Sequence, residues 1–289
     1  MKKDKEISNA KRAEVLVQAL PYIKKHAGST IVIKYGGNAM INEDLKDQVM
    51  QDVVLLNAIG IKVVLVHGGG PEISSMLKKV GIESKFQDGL RVTDKDSMEI
   101  VQMVLSGKVN KSLVNLLSQR GARAVGLSGV DSGLIKASFK DEKYGYVGNI
   151  DSVDKTLIDD LLVKGYIPVI SSIGAGKNGE IFNINADTAA SSIAKALKAD
   201  RLIMMTDVAG IMRDKDDTDT LIAELTIKEA EELKKQGIIN QGMIPKIECC
   251  IEAIQNGVSK VIIMNGTIPH SMLMELFTKE GAGTLIKAN

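Results

Sequence analysis

The stretch "KVVLVHGGGPEIS", Lys62 to Ser74, decides how the rest of the chain is to be read. A strand-forming run passes into a histidine, three glycines, a proline and a helix-like start. Glycine costs about 0.5 to 1 kcal/mol wherever regular structure is wanted, so three in succession imply that something approaches the main chain closely. Strand–glycine–helix junctions bind anions, because free backbone N–H groups and the helix N-terminus point at the ligand. "IKYGG", Ile33 to Gly37, is a second junction of this kind. Both turns belong at the carboxyl ends of parallel strands, where α/β folds bind ligands.

Outward from these turns, strand and helix patterns alternate. An amphipathic helix over 8–27 precedes strand 30–35, helix 43–58, strand 61–67 and helix 71–80; a long helical run then starts at Asp94, with Gly107 a possible interruption. Strand candidates lie at 124–129, 134–139, 144–150, 166–171, 201–206 and 260–264, separated by helices at 154–164, from Asp187, at 227–236, at 245–256 and after Pro269. Near-continuous Val/Ile/Leu strands alternating with helices predict an α/β fold, a three-layer αβα sandwich with a central, mainly parallel sheet. The loop "GAGKNGE" (174–180) suggests a division into 1–27, 28–175 and 176–289.

Bulk properties narrow the function. With 37 basic and 36 acidic residues in 289, no global field recruits nucleic acid or an anionic membrane. Two adjacent cysteines, Cys249 and Cys250, cannot form an ordinary disulfide with each other and read as reduced thiols. Three histidines in the whole chain assemble no metal cluster with these cysteines. No segment approaches the roughly 18 apolar residues of a membrane span, and the N-terminus has no signal core. The expectation is a soluble, cytoplasmic protein.

Two phosphate-binding schemes fail. A P-loop needs Gly-Lys followed by Ser or Thr, whereas Gly107-Lys108 and Gly176-Lys177 precede Val109 and Asn178. A dinucleotide fingerprint matches formally at Gly174, Gly176 and Gly179, but "EIFNI" separates it from the next helix, so it reads as a turn between strands.

The motifs "IKYGGNAM", "HGGGP", "GLRVTD" (89–94), "NINAD" (183–187), "TDVAGI" (206–211) and "QGMIPK" (241–246) resemble, in order and spacing, those of the amino acid kinase family. "GLRVTD" with "GMIPK" points to the members that phosphorylate N-acetyl-L-glutamate in arginine synthesis. The resemblance implies transfer of the γ-phosphoryl group of ATP, with Mg²⁺ riding mainly on the ATP phosphates, to a side-chain carboxylate. That nucleophile is already ionised, so the site must supply positive charge and alignment rather than a base.

By resemblance, Lys34 and Lys246 flank the transferred phosphoryl group and Asp187 holds both, although Asp187 also suits a helix N-cap. Gly69 and Gly70 offer N–H groups to the reacting carboxylate, and Gly36 and Gly37 offer them to ATP phosphates. Arg91 grips the acceptor's α-carboxylate as a bidentate fork, the alternative being an ion pair with Asp88 or Asp94. Asn183 hydrogen-bonds the acceptor, and Asp207 lies near the ribose or base. Gln241 replaces a more usual glycine, and His67 reads as structural.

In the kinases that the chain resembles, an N-terminal helix accompanies inhibition by L-arginine and joins dimers into a hexamer, a trimer of dimers. Tyr22, Lys198, His270 and Glu280 are the expected effector residues. The amphipathic helix either packs on another subunit or folds back on its own body. Rivals are carbamate, aspartate, glutamate and uridylate kinases, or a non-catalytic ATP or amino-acid sensor. The end at Asn289 leaves no room for the C-terminal modules typical of aspartate and glutamate kinases.

Overall fold

The computed structural model describes residues 8–214, 217–239 and 242–289. Gln241 and the first seven residues lie outside them. The first half contains α1 (Asn9–His26), β1 (Thr30–Tyr35), α2 (Glu43–Ala58), β2 (Lys62–His67), α3 (Gly70–Lys79), β3 (Lys85–Gln87), β4 (Leu90–Val92) and α4 (Lys95–Gln102). A π-helical segment, Met103–Val109, runs into α5 (Asn110–Gln119). Then follow β5 (Ala124–Ser128), β6 (Ile135–Phe139), β7 (Gly148–Val153), α6 (Thr156–Val163), β8 (Ile167–Ser171), β9 (Ile173–Ala175) and β10 (Ile181–Asn183). The remainder comprises α7 (Ala186–Leu197), β11 (Arg201–Thr206), β12 (Glu224–Thr226), α8 (Ile227–Lys235), α9 (Ile244–Gln255), β13 (Lys260–Asn265), α10 (Ser271–Phe277) and β14 (Gly283–Lys287).

The main sheet has the order β12-β14-β13-β11-β1-β2-β8-β5 and is parallel except where β13 meets β14. Alternate side chains divide its two faces, as the two-residue period of a strand requires. Val32, Val64, Leu202 and Met204 pack beneath α6, α7, α8 and α9. Ile31, Ile33, Val63, Leu65 and Ile203 pack beneath α2, α3, α4, α5 and α10. The result is the αβα sandwich read from the sequence.

Local chemistry explains where several helices start. Asn42 caps α2 by accepting from Leu45 N, with Glu43 and Asp44 in the first turn where the helix dipole favours negative charge. Thr226 and Glu229 close a reciprocal capping box on α8.

Four expectations need correction. Gly107 does not interrupt the long helix; the backbone widens into π geometry from Met103 to Val109 and continues. Asp187 is not an N-cap: Asn185 is, its Oδ1 accepting from Asp187 N at 2.9 Å and Thr188 N at 3.1 Å. The stretch 81–93, which the sequence suggests is a short irregular segment, holds a hairpin, β3–β4, whose turn uses Asp88 (φ 52°) and Gly89 (φ 77°), the two left-handed residues of a tight hairpin turn. The division at 175 falls inside another hairpin, since β10 pairs with β9 through Asn183 and Ile173. That hairpin stays with β6 and β7 in a four-stranded sheet, and the two halves share the main sheet through β1 and β11. "GAGKNGE" is the hairpin's turn, which removes the dinucleotide reading.

Helix α1 touches the body only at its end. His26 is buried against Phe277, ring to ring at 6.3 Å, whereas Leu16 and Val17 are 70% and 69% exposed, so the helix does not fold back along its length. Among the described residues no helix is long and apolar enough to cross a membrane.

Candidate active site

Register sets the site. Lys34 pairs with Val66 and Tyr35 with His67, so the turns that follow β1 and β2 emerge side by side at the carboxyl edge of the sheet. Gly68 N donates to Tyr35 O at 3.2 Å and ties the two together.

Lys34, 8% exposed at the end of β1, must pair its ammonium to be tolerated there. Its Nζ stands 3.0 Å from Asp187 Oδ1 and donates to Met205 O at 3.4 Å. Lys246, in the first turn of α9, donates to the other oxygen, Asp187 Oδ2. Burial alone would raise the Asp187 pKa, but the charges of Lys34 and then Lys246 outweigh it and hold the carboxyl below its usual range. Two ammonium groups on one carboxylate leave a net positive charge aimed past it.

The first glycine turn is shaped by close approach. A Cβ on Gly36 would lie 3.0 Å from Lys34 Nζ, and one on Gly37, at φ 74°, would lie 2.7 Å from an oxygen of Asp207. Asp207 therefore stands beside the turn expected to hold phosphates.

Across β1, a cleft of about 190 Å³ is lined by Gly68, Gly69, Gly70, Arg91, Asn183 and apolar neighbours including Leu105. A Cβ on Gly69 would press on Leu105 Cδ2 at 2.8 Å, so any side chain there would have to displace Leu105. Gly69 also precedes α3 with no side-chain cap, which leaves the helix N-terminus open to the cleft. Asn183 Nδ2 donates to Thr93 Oγ1 at 3.2 Å, and Thr93 Oγ1 donates to Arg91 O at 2.8 Å, so the two expected acceptor ligands are joined.

Arg91 pairs with neither Asp88 nor Asp94. Asp88 bonds to Lys143 and Tyr144, and Asp94 caps α4. The Arg91 guanidinium donates from Nη1 to Ser84 Oγ (2.8 Å) and from Nη2 to Gly70 O (2.9 Å) and Ser74 Oγ (2.7 Å). Both Nη2 hydrogens are thus engaged, and a bidentate edge needs one of them. The expected fork is available to a carboxylate only when it displaces Ser74 or Gly70 O. Ser74, Ser84, Thr93 and Asn185 were missed by the sequence reading, because hydroxyl and amide side chains carry no spacing signal.

The expected effector residues do not converge. Tyr22 and Glu280 line one cavity of about 270 Å³, together with His26, Arg201, Lys260 and Glu275. Lys198 and His270 are not in its lining: Lys198 is the left-handed C-cap of α7, and His270 Nδ1 is bound at 2.6 Å to buried Asp52. Arg201 donates to His26 Nδ1 at 3.0 Å, and burial with that guanidinium lowers the His26 pKa to about 4.

Among the described residues no three His, Cys, Asp or Glu side chains gather as a metal site. Residues 29–265 match the amino acid kinase family. The acetylglutamate kinase of Clostridioides difficile (strain 630) is 54% identical over 280 residues, 96% of this chain and 98% of that one. Among solved structures, N-acetylglutamate synthase from Neisseria gonorrhoeae complexed with coenzyme A and N-acetyl-glutamate superposes with a TM-score of 0.84 at 27% identity. It covers 96% of this chain, which spans 63% of the synthase. The same synthase complexed with coenzyme A and L-arginine gives a TM-score of 0.79 at 25% identity, over 96% of this chain and 65% of that one. The chain belongs to the amino acid kinase family.

Proposed function

We infer that the protein transfers the γ-phosphoryl group of ATP to the side-chain carboxylate of N-acetyl-L-glutamate, forming an acyl phosphate in arginine biosynthesis. The observation that carries this is the Lys34–Asp187–Lys246 cluster set between the two glycine turns. A carboxylate attacking a phosphoryl group brings like charges together, and preorganised ammonium groups lower that barrier most where charge develops. Gly69 and Gly70 then orient the acceptor carboxylate with Asn183 and Arg91, while Gly36 and Gly37 receive the ATP phosphates with Asp207 beside them. Mg²⁺ supplies charge neutralisation on the phosphates. Asp187, already engaged by two lysines, suits the role of positioning them and not of holding the metal.

We also propose L-arginine as an inhibitor and a hexameric assembly. The cavity at Tyr22 and Glu280 has carboxylates for a guanidinium, and a structurally similar synthase is described in complex with L-arginine. The free cysteines of this chain, Cys249 and Cys250, favour a cytoplasmic setting.

Hydroxylamine trapping of the acyl phosphate tests the main reading. Turnover of carbamate, aspartate, glutamate or UMP in place of N-acetylglutamate overturns the acceptor, and ATP binding with no turnover of any acceptor supports a sensor instead.

A further inference from the structure

The histidine that opens "HGGGP" is fully buried and touches neither glycine turn's ligand face, yet every polar atom on its ring is committed. His67 Nδ1 lies 2.8 Å from Gly68 O, and Nε2 lies 3.1 Å from Asn110 Nδ2. The same Nδ2 donates to Leu127 O at 3.1 Å and Val169 O at 2.9 Å. Two backbone carbonyls therefore fix the Asn110 amide with its NH₂ toward the histidine. Gly68 O can only accept, so Nδ1 carries the proton and donates to it, and the unprotonated Nε2 faces the Asn110 NH₂, whose two hydrogens are shared among three acceptors. An imidazolium would oppose N–H to N–H at Asn110, in keeping with burial lowering the His67 pKa to about 4. From both ends the chain selects one neutral tautomer.

Asn110 reaches this position because the π-helical segment ends there, its N–H bonding to Leu105 O and Gly107 O. The same segment brings Leu105 and Val109 against Gly69. No peptide in the described chain is cis, so in the Gly68–Gly69 peptide the carbonyl and the N–H point in opposite directions. Holding Gly68 O toward the His67 ring turns Gly69 N–H away from it, toward the cleft that Gly69 lines and His67 does not.

We propose that His67 and Asn110 are positioning residues that lock the Gly68–Gly69 peptide with its N–H facing the acceptor group. This rests on the reading of the cleft as the acceptor site, but not on which acceptor fills it. A freely rotating glycine peptide would spend part of its time with the carbonyl toward the incoming anion, repelling the group that it is meant to hold.

The test compares His67→Asn, His67→Gln and His67→Leu in the full-length protein. Asn places an amide N–H near the Nδ1 position, Gln places its amide near Nε2, and Leu offers neither. The Leu and Gln variants are expected to lose roughly 10²-fold in kcat, the scale of one misdirected anion-stabilising donor, with KM for ATP unchanged. His67→Asn should recover to within several-fold of wild type at matched Tm. If the Leu variant does not fold, the Asn–Gln pair carries the comparison. Equal kcat in all folded variants, or equal loss in Asn and Gln, overturns the proposal. The ratios are measured on whichever acceptor the wild-type protein phosphorylates, so a wrong acceptor assignment leaves them readable.

Discussion

Lys34 and Lys246 share one carboxylate, that of Asp187, although one is carried by the central strand β1 and the other by the first turn of α9. Each ammonium is placed by its own element, and Asp187 sets their separation. Lys34→Ala or Lys246→Ala should therefore lower kcat by roughly 10²- to 10³-fold, the usual loss for one preorganised charge stabiliser. Near-normal kcat in the Lys246 variant removes it from the mechanism. The Asp187 carboxyl is held below its ordinary range, so its contribution persists above that range and disappears only as pH falls through the depressed value. An acid limb in kcat near pH 6 would have to come from another group; Asp187→Asn shifting such a limb counts against this assignment.

Arg91 predicts a different kinetic signature. It holds Ser74, Ser84 and Gly70 O as well as facing the cleft, so it organises the start of α3 in addition to binding substrate. Arg91→Ala should raise KM for the acceptor more than it lowers kcat, as for a group that holds substrate and transition state alike. It should also lower Tm, because Gly70 O and two hydroxyls lose their donor. Ser74→Ala frees one Nη2 hydrogen and should leave acceptor KM equal or lower. A higher KM there shows that Ser74 itself contacts the acceptor.

How much of this was legible beforehand depended on the kind of signal. The sheet was readable because β1, β2, β11 and β13 are continuous apolar runs, buried on both faces. The glycine turns were readable because Gly36, Gly37 and Gly69 are positions where a side chain would strike Lys34, Asp207 or Leu105. The three-residue strands β3, β4 and β12 carry too little periodicity to register, and Asp88-Gly89 marks only the turn between the first two. Asn185 and Asp187 compete for the same capping role in "NAD", and only the backbone decides between them. The π-helical segment left no mark in the sequence, since Gly107 would as readily have ended a helix. The effector set was the least legible: His270 and Glu280 are ten positions apart, yet the bond to Asp52 engages the first while the second lines the cavity.

Two buried neutral histidines make stability pH-dependent. His26 and His67 have pKa values near about 4 in the folded protein against an ordinary 6.5, so the unfolded chain binds more protons between these values. Their contribution is complete above about 6.5 and is lost as pH falls toward about 4. Asp52, whose carboxyl is raised by burial, acts in the opposite sense as acid is added, but two histidines oppose it. Urea unfolding from pH 7.5 to 4.5 should show ΔG falling through this window, and a folded His67→Leu variant should show a shallower fall. A pH-independent ΔG sinks the assignment of neutral histidines.

The exposed face of α1 leads to the last prediction. Val15, Leu16, Val17 and Leu20 are 50%, 70%, 69% and 45% exposed, while the end of the same helix is anchored by His26 and reaches the cavity at Tyr22. A helix that is docked at one end and apolar beyond it buries its free part most simply against the same helix of another copy. That geometry would connect an assembly interface directly to a cavity bearing Glu275 and Glu280, whose carboxylates suit a guanidinium, with Arg201 and Lys260 available for an α-carboxylate. L-Arginine would then favour one arrangement of the assembly over another, a coupling typically of about 1 to 3 kcal/mol. The expected full-length species is a hexamer inhibited by L-arginine. Leu16→Glu with Val17→Glu should yield smaller, active particles with weakened inhibition, and deletion of residues 1–27 should abolish inhibition while leaving kcat near wild type. Glu280→Gln should weaken arginine inhibition without changing the assembly, which separates loss of the ligand from loss of the interface. Sedimentation combined with inhibition curves measures both properties on the same samples, and a full-length dimer indifferent to millimolar L-arginine would refute the link between α1 and the cavity.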